Sequence, residues 1–325
     1  MKYTIFGESH GPAIGVVLEG VPSGIAVDMK FIRAELQRRA PGQNALSTAR
    51  READEPEIFS GVFEGRTTGT PLCAVIRNTD TRSGDYAKLK DLPRPSHGDY
   101  AGSVRYGGFN DYRGGGHFSG RLTAPLVFAG ALAKLILREQ GITVTSAISI
   151  LGGTPDPTPE QAEEIILAAK REGDSVGGAI FCAVEGVKAG FGTPDFGCNA
   201  EGIFSQYLFA VPAVKGVAFG AGFGFSCMRG SEANDPFYMD GDAVRTRSNC
   251  SGGINGGITN GMPITFEVAI RPTPSIAREQ DTVDLTEGKD AKLTIKGRHD
   301  PCIVQRALPV IESAAALAAC ELIGL

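Results

Sequence analysis

Residues 94–124 have the sequence RPSHGDYAGSVRYGGFNDYRGGGHFSGRLTA, and an apolar segment, PLVFAGALAKLILR, follows at 125–138. The first segment consists mostly of glycine, charged, hydroxyl-bearing and aromatic residues, so it predicts a loop rather than a core strand. The second is apolar nearly all round and predicts a buried helix, with Thr123 as its cap and Gly141 at its end. We therefore expect a glycine-rich loop held by a rigid central helix.

This loop has the composition of an anion-binding site. A histidine stands near each end, His97 and His117, and arginines lie between or beside them: Arg105, Arg113 and Arg121. The triple glycine at 114–116 allows the backbone to approach a ligand closely, and free amide groups before a helix can face an anion. A flexible surface loop is the alternative, and the flanking histidines and arginines favour the anion site.

Composition limits the class of protein. The 325 residues are 42% hydrophobic and 21% charged, which is enough for a large core, and the net charge of -5 argues against a nucleic-acid binder. The seven cysteines are scattered without a CxxC pair, so we expect neither disulfides nor zinc, and a reducing cytoplasm fits best. The amino terminus lacks a signal peptide's apolar run, and the carboxyl end is too short to span a membrane.

Local signals predict several further elements. Asp28 caps a helix that runs to Ala40, and Thr158 with Gln161 has the spacing of a capping box. We expect Pro309 to interrupt the last helix and the polar loop after Ser275 to be mobile unless a ligand covers it. Because strands and helices do not alternate strictly, an α+β fold without a domain linker is favoured over a doubly wound sheet.

The four histidines are His10, His97, His117 and His299, and all lie in polar or glycine-rich loops. They lack the spacing of metal ligands, so we expect no metal site. A nucleophile pair at Ser9 and His10 is disfavoured because neighbouring side chains usually point apart. The GAGFG run at 220–224 is not followed by a helix, which argues against a dinucleotide fingerprint. Two histidines acting as proton donors beside an arginine-lined anion pocket is the most economical interpretation.

Seven motifs, in order along essentially the whole chain, resemble those of the chorismate synthase family. They are GESHG (7–11), SGVFEG (60–65), RPSHGDY (94–100), DYRGGG (111–116), GGINGG (252–257), RPTPS (271–275) and KGRHDPC (296–302). The resemblance implies an anti-1,4 elimination of phosphate from 5-enolpyruvylshikimate 3-phosphate to give chorismate, with reduced FMN and no net redox change. NADPH is an additional candidate as the reductant.

The resemblance also implies residue roles. His10 would protonate the departing phosphate, His97 would act on the reduced flavin near N1, and Asp300 would assist proton removal on the N5 side. Ser9 and Ser119 would complete a hydrogen-bond relay. Substrate or NADP contacts would come from Arg39, Arg50, Arg121 and Arg298. Flavin contacts would come from His117, Phe118, Ser119, Pro212, Ala213, Gly256, Arg271, Pro272, Thr273, Pro274, Ser275 and Arg298.

By the same resemblance, residues 1–325 would form one domain, a β-α-β sandwich with helices between two antiparallel sheets, assembled as a homotetramer with flavin sites near subunit contacts. Two arginines common in relatives are replaced, by Ala45 and by His117. Two other readings stay open: a flavin-dependent lyase acting on a related enolpyruvyl acid, and an inactive flavin-binding or assembly subunit. Intact His10, His97, Ser119 and Asp300 argue against the inactive subunit.

Overall fold

The computed structural model of the protein describes residues 1–42, 52–79, 90–295 and 300–325. The helices are α1 (Met29–Arg39), α2 (Asp99–Arg105), α3 (Thr123–Glu139), α4 (Pro159–Arg171), α5 (Ala200–Phe209), α6 (Gly230–Ala233) and α7 (Val304–Leu322). The strands are β1 (Lys2–Gly7), β2 (Ala13–Glu19), β3 (Pro56–Ser60), β4 (Val62–Phe63), β5 (Arg66–Thr67), β6 (Leu72–Arg77), β7 (Thr143–Leu151), β8 (Thr154–Pro155), β9 (Gly178–Glu185), β10 (Val214–Phe219), β11 (Phe237–Asp240), β12 (Ala243–Thr246), β13 (Ile254–Asn255), β14 (Ile258–Thr259), β15 (Ile264–Ile270), β16 (Gln280–Asp284) and β17 (Lys289–Leu293).

Two antiparallel sheets form the outer layers. The first has the order β1-β2-β6-β3 and the second the order β10-β15-β9-β7-β8. In β2, alternate residues Ile14, Val16 and Leu18 are fully buried, as expected for a strand with one face on the core. In β1 the side chains alternate between half-buried and exposed, so this edge strand faces solvent on one side.

Helices fill the space between the sheets. Helix α3 packs on β2 and β6 of the first sheet, while α7 packs on β7 and β9 of the second and on α3 itself. Helices α1 and α5 complete this layer through contacts with α7. The predicted α+β fold, with helices between two antiparallel sheets, is therefore confirmed. The apolar segment 120–139 has the length to cross a membrane, but 83% of its most apolar window is buried inside the protein, as in a core helix.

Close approach and buried charge hold the helical layer together. A methyl group on Gly130 of α3 would lie 2.1 Å from Cβ of Ser313 on α7, so only glycine permits this spacing. An ionic cluster joins these two helices to α1: the Nζ of Lys134 on α3 contacts the carboxylates of Glu35 on α1 and Glu312 on α7, and Arg38 of α1 donates to both carboxylates. The buried charges are paired and hydrogen-bonded, which offsets their desolvation.

The local helix signals were mostly reliable. The Asp28 carboxylate accepts from the N–H of Phe31, and Thr158 with Gln161 forms the predicted capping box. Thr123 is not a cap: a 3-10 turn at Gly120–Leu122 leads directly into α3, and Ser119 caps that turn instead. The Thr123 hydroxyl donates to the carbonyl of Gly120, at 2.6 Å.

Two expectations about the carboxyl-terminal part were wrong. Helix α7 continues through Pro309, because the turns that follow it are buried almost completely and their packing outweighs the lost hydrogen bond. The segment after Ser275 is not a bare loop, since β16 and β17 pair as a hairpin in the register Gln280↔Leu293. Thr282 of this hairpin donates to the carbonyl of Pro93, at 2.5 Å, and so ties it to the predicted anion-binding loop.

Candidate functional site

The turn that follows β1 is fixed against the triple-glycine loop. The N–H of Ser9 donates to the carbonyl of Gly116, at 3.2 Å. From the end of β6, the side-chain amide of Asn78 donates to the carbonyls of Glu8, at 3.0 Å, and Gly11, at 2.9 Å. Two segments that are distant in sequence, the triple-glycine loop and the end of β6, thus hold the Ser9 turn in one position.

The triple glycine brings two histidines to neighbouring positions. Gly114, Gly115 and Gly116 have φ angles of 60°, 81° and 51°, which other residues rarely adopt. A methyl group on Gly114 would lie 2.3 Å from Cδ2 of His10, and one on Gly115 would lie 3.2 Å from Cε1 of His97. The two imidazoles therefore lie against consecutive residues of one loop, and both are largely buried.

His97 belongs to a buried ionic cluster. Its Nδ1 lies 2.6 Å from Oδ1 of Asp99, whose carboxylate also receives Nε of Arg94 at 2.7 Å and Nη2 at 2.8 Å. Burial acts to raise the pKa of Asp99, but the hydrogen bonds from Arg94 and His97 outweigh it and hold that pKa well below its usual range. The pKa of His97 is lowered, mainly because the ring is buried. The hydrogen bond to Asp99 acts to raise this pKa, and the positive charge of Arg94 acts to lower it.

The RPTPS segment lies beside this cluster. The hydroxyl of Ser275 accepts from Nη1 of Arg94, at 3.2 Å, and Nη1 of Arg271 donates to the carbonyl of Ser96, at 2.5 Å. Burial lowers the pKa of Arg271. The N–H of Arg271 donates to the carbonyl of Ala213, at 3.0 Å, so Ala213 and its neighbour Pro212 also lie close to this part of the site.

Two of the predicted substrate arginines are buried together. Arg39 and Arg121 are 2% and 5% exposed, and both face the carboxylate of Asp54. Nε of Arg121 donates to Oδ1 of Asn78, at 3.1 Å, which links this pair to the Ser9 turn. Burial lowers the pKa of Arg39 to about 9, with the Asp54 charge opposing the shift. Glu52 also lies within ion-pair distance of Arg121.

Asp300 joins the arginines from the other side. Its carboxylate accepts from Nη1 of Arg306, and Nε of Arg306 donates to the carbonyl of Arg39, at 3.0 Å. The charge of Asp300 acts on the pKa of Arg39, as expected for groups that lie close together. Asp300 is thus placed beside the buried arginines, as is Ser119, whose hydroxyl accepts from the N–H of Arg121 at 3.3 Å.

Several buried polar atoms here have no hydrogen-bond partner among the described residues. They are the Ser9 hydroxyl, Oε2 of Glu8, Nε of Arg39 and Oδ2 of Asp54. Such atoms are costly unless something satisfies them, and their concentration here fits a site that receives a polar ligand. Burial also raises the pKa of Glu8, against the charge of His117, which lowers it.

The remaining predicted flavin contacts lie at several separate places. The ring of Phe118 packs on Gly98 and Gly102 of the α2 region, where a methyl group on Gly102 would lie 2.3 Å from Cε2. His117 is exposed, and its Nδ1 lies 2.9 Å from the carbonyl of Gly7. Gly256 lies in the β13–β14 turn at the amino end of α5, whereas Ala213 follows its carboxyl end. Pro272, Thr273 and Pro274 are part of the RPTPS segment beside His97.

Arg50, Arg298 and Ala45 lie outside the described residues, as does most of the KGRHDPC motif. Within the described ranges, no group of three or more His, Cys, Asp or Glu residues is arranged to hold a metal ion.

The structure adds Arg94, Asp99, Asn78 and Asp54 to the site. Arg94 and Asp99 lie within the RPSHGDY motif, so its local spacing could have pointed to them. Asn78 and Asp54 join the site only through tertiary contacts.

Comparisons with known proteins show which family the chain resembles. The family model described as chorismate synthase matches residues 1–323. A chorismate synthase of Dehalococcoides mccartyi is 45% identical, with 96% of this chain and 92% of the relative covered. One of Thermococcus gammatolerans is 46% identical, with 96% and 93% covered. A crystal structure of chorismate synthase superposes with a TM-score of 0.76 at 26% identity, covering 99% of this chain and 91% of that one.

Proposed function

Because the chain belongs to the chorismate synthase family, we propose that the residues around its triple glycine eliminate phosphate from 5-enolpyruvylshikimate 3-phosphate to give chorismate. The protein is then a lyase of aromatic amino acid biosynthesis. The observation that carries the proposal is that His10 and His97 lie against the consecutive glycines Gly114 and Gly115. Two proton-transfer groups are thereby brought to one loop, next to buried guanidinium groups.

Arg39 and Arg121 bind the substrate in this proposal. The substrate carries one phosphate and two carboxylates, and guanidinium forks bind such oxyanions in pairs. Because Asp54 contacts both arginines, it keeps them charged and oriented when no anion is bound. The unpartnered Nε of Arg39 is a donor that a substrate oxygen can satisfy. Arg50 and Arg298 belong to the same proposal through the motifs alone.

His10 donates the proton that the departing phosphate needs. His10 is only 8% exposed and lies in the turn that Asn78 contacts, so its position is fixed before the substrate arrives. The Ser9 hydroxyl has no partner among the described residues and can relay a proton beside it. Ser119, next to Arg121, completes the relay, and Asp300 assists removal of the substrate proton from the side of Arg39 and Arg306.

Reduced FMN supplies electron density that weakens the carbon–oxygen bond when it is bound. The described residues fit such a group on one side: beside His97, Arg271 donates to the carbonyl of Ser96, Ser275 contacts Arg94, and Ala213 accepts from the N–H of Arg271. His117, which is exposed, and Phe118, whose ring packs on Gly98 and Gly102, would contact the flavin only at the edge of its site. NADPH as reductant and a cytoplasmic location remain part of the proposal.

Gly256 is separated from Ala213 by the length of α5, about 15 Å for ten residues of helix. Gly256 therefore belongs to the flavin contacts of this proposal through its motif alone. The homotetramer with flavin sites near subunit contacts, and one domain for residues 1–325, are part of the same proposal through the resemblance.

The test is an anaerobic assay of the purified protein with chemically reduced FMN and 5-enolpyruvylshikimate 3-phosphate. We expect chorismate and phosphate to appear in equal amounts and only when the flavin is reduced. Phosphate without chorismate would indicate a lyase with an altered substrate. Flavin binding without either product would indicate an inactive flavin-binding subunit, and both results would contradict the proposal.

A further inference from the structure

We propose that Asp99 is a positioning residue for His97: it holds the ring hydrogen on Nδ1 and so presents the Nε2 lone pair to the ligand as an acceptor. The inference rests on the proposed function for its kinetic consequence, but its structural part concerns only the chain itself. It assigns the control of one protonation state to Asp99 and Arg94, which act through their contacts with His97.

The contact distances determine which atom carries the hydrogen. A carboxylate only accepts hydrogen bonds, so the 2.6 Å contact between Oδ1 of Asp99 and Nδ1 of His97 requires the hydrogen on Nδ1. Nη2 of Arg94 also lies 3.0 Å from this Nδ1, but it donates to the same carboxylate oxygen at 2.8 Å. Two donors thus converge on one anionic acceptor, and Nδ1 has no lone pair available for Arg94.

The carboxylate itself cannot turn away. Oδ2 accepts from Nε of Arg94, at 2.7 Å, and from the backbone N–H of Arg94, at 3.1 Å, while Oδ1 accepts from Nη2 and from His97. Arg94 is held in turn by Ser275, at 3.2 Å. The side chains of Arg94 and Asp99 are 5% and 7% exposed, so water competes little with these bonds. This locks the carboxylate in the orientation that His97 requires.

The opposite edge of the ring faces the glycine loop. A methyl group on Gly115 would lie 3.2 Å from Cε1 and 3.3 Å from Nε2, so a side chain at this position would cover the edge that carries Nε2. Of the described charged groups around the ring, Asp99 favours its protonated form, and Arg94 and Arg271 disfavour it. With burial acting in the same direction as the arginines, the ring is neutral at pH 7 and accepts a hydrogen bond at Nε2 from an N–H or O–H group of the ligand.

Asp99→Asn separates this role from a purely structural one. Nε and the backbone N–H of Arg94 will retain the amide oxygen at the position of Oδ2, and the amide NH₂ group, together with Nη2 of Arg94, will then face Nδ1 of His97. Since that group donates, Nδ1 must accept and the ring hydrogen moves to Nε2. The ring is kept in place but becomes a donor toward the ligand, which is the wrong tautomer for the proposed role.

The experiment is solid-state ¹⁵N NMR of the sedimented full-length protein labelled at histidine, with the His97→Asn protein used to assign the His97 signals. We expect the neutral Nδ1–H tautomer in the wild type and the Nε2–H tautomer in Asp99→Asn, with Asp281→Asn, an exposed carboxylate, unchanged. An Nε2–H tautomer in the wild type overturns the proposal, and this result does not depend on whether any variant folds. An unchanged tautomer in folded Asp99→Asn overturns it equally.

The kinetic arm uses the anaerobic chorismate assay. We expect Asp99→Asn to lower kcat by about 10- to 1000-fold, as for loss of an acid–base group, with KM for the substrate changed less than about 3-fold. Asp99→Glu, which keeps the accepting charge, should recover part of kcat. Wild-type kcat in an Asp99→Asn protein with the changed tautomer would overturn the catalytic consequence. Absence of chorismate formation by the wild type would contradict the proposed function instead, while the tautomer result would stand.

Discussion

The imidazole of His10 lies directly on Gly114: a methyl group at that position would be 2.3 Å from Cδ2 and 2.5 Å from Nε2 of the ring. The contact brings a residue from the first turn of the chain against the centre of a loop more than a hundred positions later. It is the clearest sign that separate motifs form one site, and it can be tested without touching either histidine.

Gly114→Ala should therefore displace His10. We expect kcat for chorismate formation to fall by about 100-fold or more, within the range for losing an acid–base group. The cause is steric, because the added methyl group and the imidazole cannot occupy the same space. The matched control is Gly108→Ala, where φ is also positive, 81°, but no atom lies within 4 Å of the added methyl group. Equal losses of activity in both variants would show that backbone strain alone explains the effect.

His97→Ala should slow turnover by about 10- to 1000-fold and leave substrate affinity nearly unchanged. The physical reason is that His97 lies in the cluster with Arg94 and Asp99, whereas the proposed substrate arginines lie with Asp54. Steady-state kinetics with reduced flavin in excess measure both quantities. An unchanged kcat would remove His97 from the mechanism.

Arg121→Lys should weaken binding of the substrate. A lysine ammonium cannot reproduce the planar fork that reaches Asn78, Asp54 and an oxyanion together. We expect KM, and the inhibition constant of inorganic phosphate, to rise by about 10-fold or more, since buried charged hydrogen bonds contribute about 1.5–3 kcal/mol. The control is Arg33→Lys, because Arg33 forms an ion pair with Glu55 in which both side chains are 54% exposed. Similar changes in both variants would place the substrate elsewhere.

The buried carboxylate of Glu312 predicts a pH dependence of stability. Burial acts to raise its pKa, but hydrogen bonds from Arg38, Lys134 and Ser146 outweigh it and lower the pKa below 4.5. A carboxylate with a lowered pKa stabilises the folded state above its unfolded pKa, and this contribution is lost as the pH falls through the folded value. The free energy of unfolding should thus decrease as the pH is lowered beyond about 4.5, and this decrease should be less steep in Glu312→Gln. Urea titrations at several pH values measure this, with exposed Glu163→Gln as control. Parallel curves for wild type and Glu312→Gln would contradict it.

Gly130→Ala should destabilise the fold without a direct effect on the chemistry. The added methyl group would lie 2.1 Å from Cβ of Ser313, so α3 and α7 must separate, at a cost of about 1–3 kcal/mol for overpacking. The control is Gly230→Ala, where the methyl group meets nothing within 4 Å. Thermal unfolding should show a lower Tm only for Gly130→Ala, and equal Tm values would mean that the helices adjust freely.

Structure that depends on local signals is predictable from the sequence. The caps at Asp28 and Thr158 depend on side chains three residues from their partners, and both are present. Structure that depends on tertiary packing is not: Pro309 stays within α7 because its surroundings are buried, and the segment after Ser275 is ordered by the β16–β17 pairing. Both outcomes depend on contacts between distant parts of the chain, and neither the helix propensity of a residue nor its spacing along the sequence reveals such contacts.

The same distinction applies to the site. The motifs predict His10, His97, Ser9 and Asp300 as site residues. Arg94 and Asp99 lie within the RPSHGDY motif, although the motif alone did not assign them a role. Asn78 and Asp54 carry no motif of their own, yet Asn78 ties the Ser9 turn to Arg121. Such bracing residues are selected by the geometry of the folded chain, and a pattern of residues along the sequence does not reveal them.

The most direct test is a crystal structure of the assembled protein with FMN and 5-enolpyruvylshikimate 3-phosphate bound. We predict that one ligand pair lies between the rings of His10 and His97, with the phosphate beside His10 and the guanidinium groups of Arg39 and Arg121. Ligands that contact only one histidine, or that bind away from the triple glycine, would contradict a shared site.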